Sequence, residues 1–370
     1  MTPRQGITAV IRSMGGGGAE RVLATMLNYW AERAIPVSLI TTTLACDHVY
    51  PLHRAVRCIT IPPKATPNNL DNCPWDVRHL RQAIMTEDNA SVISFMEKSN
   101  LPCILATADL PVRLIIAERT DPRMQQEFSE YKKALVRMLY PLADALVVQT
   151  QSVRQWFLDF MPGEKVHVIH NMVNVDASAA YPDLHLPEKF ICCMGRLTAC
   201  KGLPGLIGQL PAIFDRHPEY SLVILGEGPD RMDLSVQVSS LGLGKKVFMP
   251  GFVTAPHSIL EKAGVFILPS QFEGFPNALL EAMALGVPSV SFDCFSGPAE
   301  IIESGVNGML VEGQNYEALR DVVLSLLDSE EKRNLLAENA MAYVQDKYNK
   351  YKVMQEWSDI TQLSEHLESL

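Results

Sequence analysis

The 370-residue chain has no apolar run approaching the length of a membrane span and no charged-then-apolar leader. Neither a spanning helix nor a signal peptide is therefore predicted. Its eight cysteines include no Cys-x-x-Cys pair, which argues against zinc ribbons and dithiol redox motifs. Cys192 and Cys193 stand in a strand-like apolar run, so buried, reduced thiols in a cytoplasmic protein are expected. His-x-x-x-His, a nucleophile elbow and a Gly-x-x-x-x-Gly-Lys phosphate loop are all missing. Internal repeats and low-complexity tracts are missing too. A basic excess is also lacking. Net charge is −10, with 18 Lys and Arg against 17 Asp and Glu in residues 1–180 and 14 against 25 in the remainder. An acidic chain with no basic stripe or aromatic ladder is a poor nucleic-acid binder. Its near-neutral first half remains compatible with weak association at an anionic membrane surface.

What is present is a well-packed α/β composition, 47% hydrophobic and 20% charged. In the first half, strand candidates Ile7–Ile11, Val37–Thr41, Val56–Ile61, Ser91–Phe95, Arg113–Ala117, Ala145–Val148 and Val166–Ile169 alternate with helical stretches. The helices fit Ala19–Arg33, Asp76–Met85, Asn100–Ala108, Gln126–Leu139 and Ser152–Asp159. Residues 62–75 read as a turn-rich loop. The pattern breaks around 171–188, and a second alternating series begins at Phe190. This predicts two doubly wound parallel-sheet domains, 1–175 and 176–348, with a C-terminal helical tail over 349–370. Ligands are expected at the carboxyl ends of their strands.

The most informative stretch is Ser270-Gln271-Phe272-Glu273-Gly274-Phe275-Pro276-Asn277-Ala278-Leu279-Leu280-Glu281, which follows the apolar strand candidate Val265–Leu268. Gly274 and Pro276 break the backbone, and Pro276 suits an early helical position. The helix then runs to Leu285 and stops at Gly286. Glu273 is thus placed on a loop at a strand's carboxyl end. Glu281 lies roughly 7 Å along the helix, its side chain leaning back toward the same mouth. Between them stand the unpaired N–H groups of a helix start, which favour an anion. Hydroxyl acceptors flanking a phosphate cradle suit a sugar nucleotide. A loop carboxylate and a solvated helix Glu would be the bland alternative.

Three further elements bear on that choice. Met194-Gly195-Arg196-Leu197, followed by Lys201-Gly202, ends the first strand of the second series and offers two cations to a diphosphate. Gly226-Glu227-Gly228-Pro229 follows Leu222–Leu225, and its glycines permit close backbone approach to a ligand. Glu227 is not expected to be catalytic. Gly15-Gly16-Gly17-Gly18-Ala19-Glu20 follows the first strand; it is a contiguous glycine run, not Gly-x-Gly-x-x-Gly.

Together these elements resemble the retaining family-4 glycosyltransferases with the GT-B fold (glycosyl transferases group 1), over nearly the whole chain and most densely in 194–308. The Glu273 to Glu281 spacing resembles that family's Glu-x7-Glu motif. The resemblance implies two facing Rossmann-like domains, with the last helix crossing back to the first. It implies that Arg196 and Lys201 hold the donor pyrophosphate, with Gly226 and Gly228 beside it. Gly16 and Gly17 would face the sugar and diphosphate, and Phe252 and Val253 would lie near the nucleobase. Glu281 would receive the ribose hydroxyls. Glu273 with Gly274, Phe275, Pro276, Asn277 and Ala278 would hold the sugar and adjoining phosphate. His170-Asn171-Met172-Val173-Asn174 resembles the hinge element, so His170 is a hinge residue rather than a base.

In one place the chain departs from the family. Many relatives carry a His at the end of the strand ending in Ala117; here Glu118-Arg119 stand instead. Arg119 can bind diphosphate or acceptor, and Glu118 can accept a hydroxyl proton. Ser94-Phe95-Met96-Glu97-Lys98-Ser99-Asn100, at the preceding strand end, resembles a segment of relatives that extend lipid-linked sugars, which adds Glu97 and Lys98 to the candidate site. No Asp-x-Asp occurs, which argues against a metal-dependent GT-A reading; no metal and no cofactor is expected. The implied partners are a nucleotide-sugar donor, UDP favoured over GDP, and a glycan or lipid-linked acceptor of surface polysaccharide synthesis. Two rival readings remain: a sugar-nucleotide epimerase of similar architecture, and a non-catalytic sugar-nucleotide-binding subunit.

Overall fold

The computed structural model describes residues 5–42, 49–61, 76–124, 129–175 and 184–363. The loop expected over 62–75 and the part of the sequence break at 176–183 lie outside them. The chain divides into two compact units: Met1–Met172 with Tyr351–Leu370, and Val173–Lys350. Among the described residues no helix is long and apolar enough to cross a membrane.

The first unit runs β1 (Ile7–Val10), α1 (Gly18–Ala31), β2 (Val37–Thr41), β3 (Arg57–Thr60), α2 (Val77–Glu87), β4 (Ser91–Phe95), α3 (Glu97–Thr107), β5 (Arg113–Ala117), α4 (Glu130–Leu139), β6 (Ala145–Val148), α5 (Gln151–Phe157) and β7 (Val166–Val168). All strands pair parallel in the order β3-β2-β1-β4-β5-β6-β7. Winding proceeds one way from β1 and then the other way from β4, so the ends of β1 and β4 form a switch point. Strand alternation distributes the core to both faces. Ile93, Phe95, Ile115 and Ala117 join the cluster under α1, while Val92, Leu114 and Ile116 join the one under α2 to α5.

The second unit contains β8 (Phe190–Met194), α6 (Leu203–Arg216), β9 (Ser221–Leu225), α7 (Arg231–Ser240), β10 (Val247–Gly251), α8 (His257–Leu260), β11 (Val265–Leu268), α9 (Asn277–Ala284), β12 (Ser289–Asp293), α10 (Pro298–Ile301), β13 (Met309–Glu312), α11 (Tyr316–Leu327) and α12 (Glu330–Lys347). Its parallel sheet has the order β10-β9-β8-β11-β12-β13. The direction of winding reverses between β8 and β11. Cys192 and Cys193 face opposite layers of this core, and burial pushes both thiols up. The six described cysteines are all free thiols.

The last helix, α13 (Lys350–Thr361), contributes Val353, Met354, Trp357 and Ile360 to the first unit's core. Trp357 stacks on Phe95 with centroids 6.1 Å apart, Ser91 Oγ donates to the Thr361 carbonyl at 3.1 Å, and Arg113 Nε to that of Ile360 at 2.7 Å. Trp357→Ala removes a fully buried indole from beneath Phe95 and should cost about 3–5 kcal/mol. Chemical denaturation followed by circular dichroism checks this; an unchanged midpoint would show that α13 contributes little.

Candidate functional site

In the second unit the β9 loop is laced by backbone to the β8 loop and to the end of β10. Gly195 N donates to Leu225 O at 2.9 Å, Leu197 N to Glu227 O at 2.9 Å, and Gly226 N to Gly251 O at 2.9 Å. No side chain fits in these crossings. A Cβ on Gly226, where φ is +136°, would fall on the Gly195 carbonyl, and one on Gly228 on that of Leu197. Both glycines therefore act by letting the β8 and β9 loops touch. Glu227 turns away to Arg231 at 2.7 Å.

Lys201 ends a short 3-10 turn, Ala199–Lys201, and Gly202 follows in a left-handed conformation at φ +64°. A Cβ there would meet the Pro269 carbonyl, and Gln271 N donates to Cys200 O at 2.8 Å. The loops leaving β8 and β11 are thus clamped across the switch point. The clamp brings Lys201 Nζ to 2.5 Å from Glu273 Oε1, in a pair that retains little exposure. Arg196 lines the same small pocket as Lys201, Met194 and Ser270. Arg196 is exposed and makes no ion pair among the described residues.

Glu273 leads into α9. Pro276, expected as an early helical residue, is instead the N-cap, with φ −81° and ψ 82°. No side chain caps this helix, which leaves its opening N–H groups, Ala278 among them, available to an anion. Asn277 N is engaged with the Phe275 carbonyl at 2.9 Å. Phe275 is buried against Tyr348, with centroids 5.8 Å apart, and holds the loop down. Gly297 packs behind it, and a Cβ there would stand 2.7 Å from Pro276 Cδ. Glu281, further along α9, is buried with its Oε2 3.1 Å from His257 Nε2 at the start of α8. Phe252 is 55% exposed and Val253 half-buried, on the segment between β10 and α8. His257 and Gly297 had no sequence signal beyond their residue types. Among the described residues, no group of three His, Cys, Asp or Glu side chains is arranged to hold a metal ion.

In the first unit, Gly16 adopts φ +100° and Gly17 is the N-cap of α1, with the Glu20 carboxylate folded back against it. Met96, between β4 and α3, adopts φ +70°, a strained position for a side-chain-bearing residue. Glu97 follows, buried and 3.6 Å from Lys132, and Lys98 is half-buried on α3. His170 Nδ1 lies 2.8 Å from the Gln149 carbonyl, two residues before the first unit ends at Met172.

Glu118 and Arg119 diverge. Glu118 Oε1 is hydrogen-bonded by the Tyr140 hydroxyl and by Asn100 Nδ2, the latter at 3.0 Å. Burial, opposed by the Tyr140 bond and reinforced by Glu97, pushes its carboxyl up to about 8. It is therefore largely protonated at neutral pH. This placement suits a structural acid rather than the proton acceptor expected from its position. Arg119 instead lies over the Phe95 ring at 5.0 Å and donates through Nη2 to Asn171 Oδ1, which also accepts from Gln149 at 2.7 Å.

A carboxyl raised in the folded state stabilises fully below its unfolded value, about 4.5 here, and loses that contribution as pH climbs through about 8. Glu118→Gln removes the titration. Its stability relative to wild type should rise across that window, by up to about 1.4 kcal/mol per pH unit. Urea midpoints of both proteins across the window measure it, and parallel pH profiles would contradict the assignment.

Comparison with known proteins bears on the family and the fold. Residues 180–343 match the family described as Glycosyl transferases group 1, and residues 16–177 that described as Glycosyltransferase Family 4. A Campylobacter jejuni protein is 27% identical over 365 residues, spanning 95% of this chain and 96% of its own. It is named GalNAc-alpha-(1->4)-GalNAc-alpha-(1->3)-diNAcBac-PP-undecaprenol alpha-1,4-N-acetyl-D-galactosaminyltransferase. Among solved structures, sucrose-phosphate synthase from Thermosynechococcus elongatus superposes with TM-score 0.82 at 19% identity, covering 99% of this chain and 100% of that one. Anabaena HepE in complex with UDP and glucose does so with TM-score 0.81 at 18% identity and the same coverage.

Proposed function

We propose that this chain, which belongs to the family-4 glycosyltransferases of glycosyl transferases group 1 and has their GT-B fold, moves a sugar from a nucleoside-diphosphate donor to a glycan or lipid-linked glycan. The donor is read as a UDP-sugar, in line with the UDP held by HepE. The acceptor class follows the undecaprenol-linked glycan named for the Campylobacter relative. A lipid-linked acceptor would bring the protein to a membrane face.

One observation carries the reading: Lys201 and Glu273 meet at 2.5 Å across the β8/β11 switch point, beside Arg196 and the uncapped start of α9. Cations, carboxylate and helix N–H groups then address one activated sugar. The ribose hydroxyls bind Glu281, whose carboxylate His257 orients. The diphosphate takes its counter-charge from Arg196, Lys201 and the α9 N-terminus. In this reading these groups do the neutralising that a metal does in other transferases. Glu273 accepts hydroxyls of the sugar and, being paired to Lys201, keeps that ammonium aimed at the leaving group. As the glycosidic C–O bond breaks, negative charge grows on the diphosphate, and preorganised cations stabilise it more than they stabilise the bound donor. The acceptor hydroxyl attacks the cationic anomeric carbon from the leaving-group face and gives its proton to the departing diphosphate, so the carbon retains its configuration.

Arg196→Ala and Lys201→Ala should each lower kcat by about 10²–10³-fold. Glu281→Ala should act chiefly on the donor's KM. Release of free nucleoside diphosphate, measured with and without acceptor across a panel of UDP- and GDP-sugars, checks all three and separates transfer from epimerisation. Full turnover in both cation variants would discard the clamp.

A further inference from the structure

Arg119 carries a charge that no carboxylate among the described residues compensates. It is 6% exposed, and two of its donor nitrogens, Nε and Nη1, have no hydrogen-bond acceptor among the described residues. Its guanidinium donates to the Asn171 amide oxygen and lies over the Phe95 ring, and no carboxylate pairs with it among the described residues. The adjacent carboxyl, Glu118, is spent on Tyr140 and Asn100 and is largely neutral at physiological pH. Burial pushes Arg119 itself down, to about 9, which still leaves it cationic there. A buried guanidinium without a counter-ion or a full set of acceptors is costly, so a purely structural role would be expected to supply both.

The position is also informative. Arg119 follows β5, Phe95 ends β4, Gln149 follows β6 and Asn171 follows β7, so the four gather at the carboxyl edge of one parallel sheet. Ligands of open parallel sheets bind along that edge. The strained Met96 stands immediately after Phe95. Gln149 Nε2 bonds the same Asn171 oxygen that receives Arg119, which fixes the amide and, through it, the guanidinium.

We infer that Arg119 is the receptor for an oxyanion, a phosphate or a carboxylate, carried by the substrate that binds the first unit. A guanidinium donates to such a group through several N–H bonds at once. Phe95 supplies the platform, while Asn171 and Gln149 are positioning residues. The inference rests on the transferase reading only for the identity of the molecule bearing the oxyanion. A lipid diphosphate and an acidic sugar are the two sources.

The test uses the full chain with the second unit's cations removed, Arg196→Ala/Lys201→Ala, so that oxyanion binding there does not mask the site. Inorganic pyrophosphate, inorganic phosphate and glucuronate are titrated by calorimetry into this protein and into versions also carrying Arg119→Met or Arg119→Lys. At least one oxyanion should bind, about tenfold or more weaker in Arg119→Met, with Arg119→Lys intermediate. Pyrophosphate without glucuronate would identify a diphosphate carrier, and the reverse an acidic sugar. Loss of an uncompensated buried cation should leave the melting temperature of Arg119→Met unchanged or raised. No binding in the parent, or equal binding in both Arg119 variants, overturns the proposal; so does a lowered melting temperature with unchanged affinity. Transfer by the otherwise native protein is assayed separately, so a failed transferase reading and a failed oxyanion site are told apart.

Discussion

The second unit depends on the reversal of winding between β8 and β11. Every strand of a parallel sheet delivers its carboxyl end to the same edge, and neighbouring crossovers normally cover the gap between strands. Where β8 winds toward β9 and β11 toward β12, the crossovers part and leave a crevice. Lys201 reaches into it from one side and Glu273 from the other, and their ion pair spans it. Glycine makes this placement possible. At Gly202, Gly226 and Gly228 the neighbouring carbonyl occupies the space of a Cβ. The polar heads are therefore positioned by backbone packing rather than by flexible side chains, as electrostatic preorganisation requires.

The first unit uses the same architecture with a different polar economy. Its strand ends carry a carboxyl kept neutral by burial, Glu118, beside a guanidinium with no counter-ion among the described residues, Arg119. Two adjacent residues of opposite nominal charge ordinarily compensate one another. Here they project to different partners, one into the layer of Tyr140 and Asn100, the other onto Phe95 and Asn171. That division leaves positive character at a strand edge shared with the amides of Gln149 and Asn171, in the half of the sequence that lacks the acidic excess.

Much of this organisation was legible in the sequence, for identifiable reasons. Apolar runs such as Leu222–Leu225 and Val265–Leu268 are buried on both faces and can be little else than central parallel strands. Glu273, Arg196 and Lys201 were readable because they sit beside strand ends marked by glycine and proline. Other features are set by tertiary contact. His257 meets Glu281 from 24 positions away, and nothing local marks it. The neutrality of Glu118 depends on Tyr140 and Asn100, which only folding brings to it. Helix α3 begins at Glu97 rather than at Asn100 because Met96 takes the unusual backbone turn that sequence would assign to glycine.

The central claim is that Lys201, Arg196 and the start of α9 converge on a donor's diphosphate. A crystal structure of the protein with UDP tests it most directly. The account predicts phosphate oxygens within about 3 Å of Lys201 Nζ and the Arg196 guanidinium, facing the Ala278 N–H, with the ribose on Glu281. Phosphates bound away from the β8/β11 switch point, with the Lys201–Glu273 pair undisturbed and solvent at α9, would contradict it.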